Sequence, residues 1–320
     1  MRTRQLRGLK VTEIGFGAAQ LGNLFRPTTD EEAKEAVDTA WKSGIRYFDT
    51  APHYGLGLSE QRLGEYLRSR PRDQFVISTK VGRRLVPTPE RAAAGDFDLE
   101  DGFAVPATHR REWDFSRDGV LRSIESSLSR LHMDRLDIVY LHDPDDHWDS
   151  ASTTGLDALI ELRDQGVVGA VGAGMNQAPM LARLVRERDV DVVMVAGRYT
   201  LLDRSAEDEL LAAAAERGVA IVAAGVYNSG LLSQPQVPAD ATYDYQQAPS
   251  EILRRARALS AACSEVGVTL PQAAVQFPLL QPNVASVVVG MRTAEQVEGT
   301  VTYYDSTISP EAWRHLGVTS

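Results

Sequence analysis

A chain of 320 residues, 43% hydrophobic and 24% charged, can bury a large core either as one barrel or as two ordinary domains. Its 34 lysines and arginines against 44 aspartates and glutamates leave a net charge of −10, which argues against a nucleic-acid or anionic-membrane surface. No window approaches the roughly 18 uninterrupted apolar residues of a membrane span, no apolar signal core follows the basic start, and the lone cysteine, Cys263, allows no internal disulfide, so a reducing cytoplasm is the expected setting.

The chain opens on a hairpin-like pair over 3–6 and 11–14, then alternates strand-like with helix-like segments. Eight short runs rich in Val, Ile and Ala read as strands: 14–19, 46–49, 75–81, 137–142, 167–172, 192–197, 220–225 and 284–289. Their nearly continuous hydrophobicity fits strands buried on both faces of a parallel sheet. Thr29 or Asp30 can cap a helix through Trp41 that stops near Gly44, Ser59 opens the next, and Ser116 caps 120–131. Helices are then expected over 155–165, 178–188, 206–217, 251–266 and 271–280, with Gly44, Gly166 and Gly218 falling where helix C-caps belong.

Eight strand–helix alternations with no linker between halves suggest one α/β domain over 1–320, a closed (β/α)8 TIM barrel with an N-terminal hairpin. The rival is an open doubly wound sheet, which needs a break in strand order. Long segments follow the third and seventh barrel strands, 82–115 and 226–250. Both leave strand C-termini, so both would overhang the rim where barrel chemistry happens.

Asp49, Lys80 and His142 each close a predicted strand, and Tyr54 follows Asp49 in the loop Thr50-Ala51-Pro52-His53. A free phenol titrates near 10, too high for easy base work at neutral pH. A neighbouring Lys80 ammonium would lower it, Asp49 would hold the lysine, and His142 could bond the substrate oxygen or relay a proton. That grouping suits carbonyl reduction or alcohol oxidation. The run His142, Asp143, Asp145, Asp146 and His147 contains zinc-ligand types, but Pro144 and consecutive acids suit a solvated turn, so no metal is expected.

Four strings, Phe48-Asp49-Thr50-Ala51-Pro52-His53-Tyr54-Gly55, Ser59-Glu60-Gln61-Arg62-Leu63-Gly64, Ser78-Thr79-Lys80 and Asp137-Ile138-Val139-Tyr140-Leu141-His142, resemble the aldo-keto reductase superfamily over essentially the whole chain. The resemblance implies a tetrad in which Tyr54 is the acid/base, Lys80 and Asp49 tune it, and His142 orients substrate. It also implies a nicotinamide dinucleotide, NAD or NADP, without a Rossmann fingerprint. Asn176 matches the asparagine that holds the nicotinamide amide, although Met175 replaces the usual serine before it. Tyr227 lies near the position of the family's stacking tyrosine, and Asn228-Ser229-Gly230-Leu231 resembles its pyrophosphate belt. In Gly290-Met291-Arg292 with Gln296, the usual 2′-phosphate lysine and arginine align with Gly290 and Gln296, leaving Arg292 alone to reach a phosphate or stack on adenine, so NAD is favoured over NADP.

The strings 141–147, 172–176 and 196–203 resemble the D-threo-aldose 1-dehydrogenase branch, also called L-fucose or D-arabinose dehydrogenases, with pyridoxal 4-dehydrogenases as near neighbours. Both oxidise a cyclic hemiacetal to a lactone. Gln20, His109, Trp113, Asp143, Trp148 and Tyr227 are the candidate contacts for an aldose or aldehyde substrate, combining polar groups with an aromatic platform. Rival readings are a reductase running in the other direction and a non-catalytic nicotinamide-binding subunit like those that accompany some ion channels. The pattern leaves the oligomeric state open.

Overall fold

Arg7 and Gly8, both at positive φ, turn the chain between strands Thr3–Leu6 and Leu9–Thr12, the tight two-residue connection that matches strand twist. This hairpin opens a computed structural model that describes residues 1–244 and 246–318. The eight barrel strands follow: Ile14–Gly17, Tyr47–Asp49, Val76–Val81, Leu136–His142, Val168–Met175, Val192–Ala196, Ala220–Ala224 and Val284–Gly290. All pair in parallel in chain order, and the eighth returns to the first through Val287–Gly290 against Ile14–Gly17. That closure removes the open-sheet alternative.

Helices cover the outside. Asp30–Lys42 begins with a full capping box, Thr29 accepting from Glu32 and Glu32 answering the Thr29 N–H. Ser116 caps Arg117–Leu131 as expected, while Leu156–Asp164, Ala178–Glu187, Leu210–Arg217, Ser250–Glu265 and Leu270–Gln276 fill the remaining predicted positions within a few residues. Ser59 is not a cap. Gly57, at φ 91°, precedes the helix Leu58–Leu67, and the Ser59 hydroxyl turns inward to donate to the Ala18 carbonyl at 2.7 Å. Ala294–Asp305 and Pro310–His315 are additional helices, and the first buries only Val297, Thr300 and Tyr304, too few aliphatics to give a readable stripe.

The barrel interior has its own core. Leu6 and Val11 of the hairpin plug the N-terminal end beneath Val76, Ile138, Ala170, Val192, Met194, Val222 and Val288. The two long segments carry structure. In 82–115, Arg83–Pro87 pairs with His109–Trp113, and a bridge from Phe103 to Leu24 ties the excursion to the loop after the first strand. In 226–250, Thr242–Tyr243 pairs with Gln246–Gln247. Among the described residues no helix is long and apolar enough to cross a membrane.

Candidate active site

Strand periodicity places side chains two apart on the same face. Thus Asp49, Lys80 and His142, the last residue, second-last residue and last residue of neighbouring strands, meet at one rim and are almost wholly buried. The Lys80 ammonium donates to Asp49 Oδ2 at 2.8 Å and to the Thr50 carbonyl at 3.0 Å. It also lies against Tyr54, with Nζ 4.8 Å from that ring's centroid, and the two groups interact favourably. An ammonium has three protons; Asp49 and the Thr50 carbonyl take two, and Tyr54 stands on the remaining side. Burial by itself would depress the Lys80 pKa, but Asp49 and then Tyr54 outweigh it and raise it.

Tyr54 reaches this point because two glycines let two loops touch. A Cβ on Gly55 (φ 63°) would lie 2.3 Å from the Gly22 carbonyl oxygen, and one on Gly22 would lie 2.6 Å from the Tyr54 backbone. Any side chain at either position would push the tyrosine loop off its seat.

The His142 ring stands edge-on to Tyr54, centroids 5.8 Å apart at 90°. Burial, and then Arg83, Lys80, His53 and Arg111, hold its pKa well below the ordinary value, so the imidazole is neutral. Its Nδ1 is buried without a hydrogen-bond partner among the described residues. The tetrad thus combines a phenol joined to a cation with a neutral imidazole. Such a pair can pass one proton to or from an oxygen while the imidazole orients it.

Residues that sequence reasoning did not single out as site residues complete this rim. His53 packs edge-on to His142 at 5.5 Å and to Phe103 at 5.2 Å. Arg83 donates to Asp143 Oδ2 at 2.5 Å, approaches His53 Nε2 at 3.4 Å, and lies 4.7 Å from the Trp113 ring centroid. Arg111 donates to the His53 carbonyl at 2.9 Å while forking onto Asp98 at 2.6 and 2.7 Å. The only signal was position: Arg83 stands three residues beyond Lys80, where a long loop begins.

Among the expected substrate contacts, Asp143 and Trp113 join this cluster through Arg83. His109 does not. It stands opposite Pro87 at the far end of the hairpin, four residues from Trp113 and so roughly 13 Å along the strand. From there it helps line a cavity of about 310 Å³ whose wall also includes Arg83, Arg111 and Trp113, so this cavity adjoins the rim cluster. Trp148 also turns away, its ring beneath the Arg183 guanidinium of helix Ala178–Glu187 at 5.1 Å.

The opposite side of the mouth carries the expected cofactor residues. Asn176 is exposed just past the fifth strand. Asn228, Ser229 and Gly230 are successive left-handed residues (φ 45°, 58° and 92°), a backbone form that can turn N–H groups toward an anion. Asn228 anchors this turn by donating to the Gly197 carbonyl at 3.1 Å, and Leu231 is sunk in the core. Tyr227 packs against the core with its phenol near Thr300, and burial raises its pKa.

Gly290 is exposed, and a Cβ there would meet Gln20 Nε2 at 2.5 Å, so Gln20 lies against the cofactor wall rather than free at the substrate side. Met291 is buried and presents only backbone. The Arg292 guanidinium donates to the carbonyls of Leu24 (2.6 Å) and Arg26 (3.0 Å) and to the Thr28 hydroxyl, while Gln296 Oε1 accepts from the Arg292 N–H at 2.7 Å. Burial, then Arg26, lower the Arg292 pKa to about 10. No carboxylate lies within ion-pair distance of it among the described residues, and it adjoins the N-terminus of Ala294–Asp305. A buried cation with no carboxylate partner beside a helix N-terminus, and separately the left-handed turn at 228–230, are features that suit the phosphates of a dinucleotide.

The sequence profile of the Aldo/keto reductase family matches residues 13–317. A D-threo-aldose 1-dehydrogenase from a Pseudomonas species is 48% identical over 310 residues, 97% of this chain and 94% of the relative. A pyridoxal 4-dehydrogenase from Microbacterium luteolum is 39% identical over 325 residues, again 97% of this chain and 94% of the relative. Among solved structures, the holo form of aldo-keto reductase AKR11C1 from Bacillus halodurans superposes with a TM-score of 0.78 at 26% identity, over 99% of this chain and 95% of that one.

Proposed function

The chain belongs to the aldo/keto reductase family and is an oxidoreductase; from that premise we propose that it oxidises the anomeric carbon of an aldose to a lactone, with Tyr54 as the acid/base. The observation that carries this reading is the buried Lys80 ammonium, paired with Asp49 and set against Tyr54 beside a neutral His142. Its substrate class follows the 48% identical D-threo-aldose 1-dehydrogenase.

A nicotinamide dinucleotide, when bound, supplies the hydride acceptor. Asn176, the turn Asn228–Gly230 and the backbone of Gly290–Arg292 would hold it. Tyr54 takes the proton of the anomeric hydroxyl as the hydrogen on that carbon leaves with its electron pair. The carbon–oxygen bond becomes a carbonyl, the ring oxygen stays in place, and the product is a lactone. Lys80 stabilises the phenolate form of Tyr54, and Asp49 keeps the ammonium aimed. Neutral His142 donates a hydrogen bond to the reacting oxygen without competing for its proton. NAD is the preferred form, because Gly290 and Gln296 offer no cation and the Arg292 guanidinium already serves Leu24, Arg26 and Thr28.

Absorbance of NADH or NADPH formed from L-fucose, D-arabinose, L-galactose and pyridoxal tests the reading directly. An aldose should turn over fastest, with NAD ahead of NADP. Tyr54→Phe should lower turnover roughly a thousandfold, within the range of general acid–base catalysis, while dinucleotide affinity stays within about twofold. Near-normal turnover by Tyr54→Phe, or binding of dinucleotide with no turnover of any sugar, would sink it.

A further inference from the structure

One layer below the tetrad the same three strands carry hydroxyls. Tyr47, Ser78 and Tyr140 stand two residues before Asp49, Lys80 and His142, hence on the same inward face. Tyr47, Ser78 and Tyr140 are fully buried. Ser78 Oγ lies 2.6 Å from Asp49 Oδ1, Tyr47 Oη lies 3.1 Å from Ser78 Oγ, and Tyr140 Oη lies 3.2 Å from Tyr47 Oη.

Proton counting fixes the direction of every link. A carboxylate oxygen only accepts, so the Ser78 proton goes to Asp49. Ser78 must then accept from Tyr47, and Tyr47 must accept from Tyr140. We propose that Tyr140, Tyr47 and Ser78 form a one-way hydrogen-bond chain that positions Asp49 and, through it, the Lys80–Tyr54 pair. The proposal rests on the acid/base reading of Tyr54 given above.

The surroundings argue that this chain is more than packing. Beside this chain the interior is lined mainly by apolar side chains, with the Ser286 hydroxyl already donating to the Thr12 carbonyl at 2.8 Å, and phenylalanine at both 47 and 140 would fill the same space without burying a phenol. Room for the Tyr47 ring is itself built in, since a Cβ on Gly15 would lie 2.9 Å from Tyr47 Cδ1. Burial raises the pKa of both phenols, so each remains a neutral donor. Hydrogen bonds in series polarise one another, and the last one ends on a charged group, where it is strongest.

The charged and titratable groups around the tetrad are Asp49 on the second strand, Lys80 on the third, His142 on the fourth, and His53, Tyr54, Arg83, Arg111 and Asp143 on the loops above, the last paired with Arg83 and 3.6 Å from His142. Removing the Ser78 donor returns negative charge to the Asp49 carboxylate. The Lys80 ammonium is then drawn more to Asp49 and helps the phenolate less. Oxidation, which needs that phenolate, should therefore begin at higher pH.

The test is the pH profile of kcat with L-fucose and NAD for Ser78→Ala, Tyr47→Phe and Tyr140→Phe. Ser78→Ala should move the rising limb upward by roughly half a unit to one unit and lower kcat below the limb roughly tenfold, the scale of a hydrogen bond to a charged group. Tyr47→Phe should lower it roughly threefold and Tyr140→Phe less than twofold, with KM for NAD unchanged in all three. Tyrosinate absorbance titrated in each variant, minus the same variant carrying Tyr54→Phe, should shift in the same order without reference to turnover. Ser78→Thr keeps the hydroxyl and should restore the limb. Superimposable profiles, or effects that follow melting temperature rather than position along the chain, would overturn the proposal while Tyr54→Phe remained inactive. Full activity in Tyr54→Phe would instead defeat the acid/base reading and the chain with it.

Discussion

The second to fourth barrel strands and the sixth to eighth use equivalent inward positions for opposite purposes. On the first sector these positions hold Tyr47, Asp49, Ser78, Lys80, Tyr140 and His142, a continuous polar set in which nearly every donor is committed to a named neighbour. On the other they hold Val192, Met194, Val222 and Val288, which contribute burial, together with Ser286, whose hydroxyl is satisfied by the Thr12 carbonyl at 2.8 Å. The comparison shows one sheet dividing its labour around its circumference. The apolar sector offsets the desolvation of the polar one, and the reactive groups sit where strain or slack would be felt by several partners at once.

The largest expected contrast comes from one deletion on each side. Lys80→Met removes one partner of an ion pair whose side chains are only 3% and 4% exposed, leaving Asp49 charged with no counter-cation and only the Ser78 hydroxyl to hold it. Losing one member of a buried pair costs about 3–5 kcal/mol, and turnover should vanish with it. Val222→Ala, fully buried on the apolar side, should cost about 1–3 kcal/mol by cavity formation and leave kcat per folded molecule within about twofold. Urea unfolding beside a turnover assay separates the two. If Val222→Ala impaired catalysis as much as stability, the division of labour would not hold.

A second contrast is in pH. His142 and His53 both lie on the polar sector with pKa values held well below 6.5, chiefly by burial. The unfolded chain takes up protons near 6.5 while the folded one does not, so stability should fall as pH drops below about 6.5, by up to about 1.4 kcal/mol per unit per histidine. Both imidazoles should contribute to that slope, since burial keeps each of them neutral in the folded protein. Lys80 works in the other direction. Its raised pKa contributes stability that is whole below about 10.5 and is lost as pH rises beyond it. Unfolding free energies measured from about pH 7 down to 5 should flatten in His142→Gln by close to one proton's worth. An unchanged slope would mean that the imidazole is already protonated in the folded protein.

The polar sector was also the more legible one. Asp49, Lys80 and His142 could be found because each ends a strongly hydrophobic run, and run ends survive errors in strand boundaries. The layer beneath them could not be assigned, because strands buried on both faces read as continuous hydrophobicity and do not reveal which alternate residues face inward. Tyr47, Ser78 and Tyr140 become meaningful only when the parallel register is known. Loop residues were the least readable. Trp148, His109 and Tyr227 have suitable side chains in suitable loops, but where a loop side chain points depends on partners distant in sequence, such as Arg183, Pro87 and Thr300. Arg83 was missed for the same reason, since its partners Asp143, His53 and Trp113 come from three different segments.

The smallest effect should appear on the eighth strand, where the apolar sector meets the cofactor wall. Lysine at 290 would first meet the Gln20 amide, whose Nε2 stands 2.5 Å from where the new Cβ would be. That amide is the far end of a flexible side chain, so it can move aside at little cost, and the new ammonium would then stand on an exposed backbone near Arg292. A partly exposed charge pair contributes about 0.5–1 kcal/mol, so Gly290→Lys should improve NADP affinity relative to NAD by roughly two- to fivefold, read by fluorescence titration with each dinucleotide. Adding Gln20→Ala should increase the gain by clearing the displaced side chain. Because neither change touches the polar sector, kcat with saturating dinucleotide should stay where it was. A fall in kcat would mean that Gln20 reports to the tetrad after all, and that the two sides of the barrel mouth are less separate than their packing indicates.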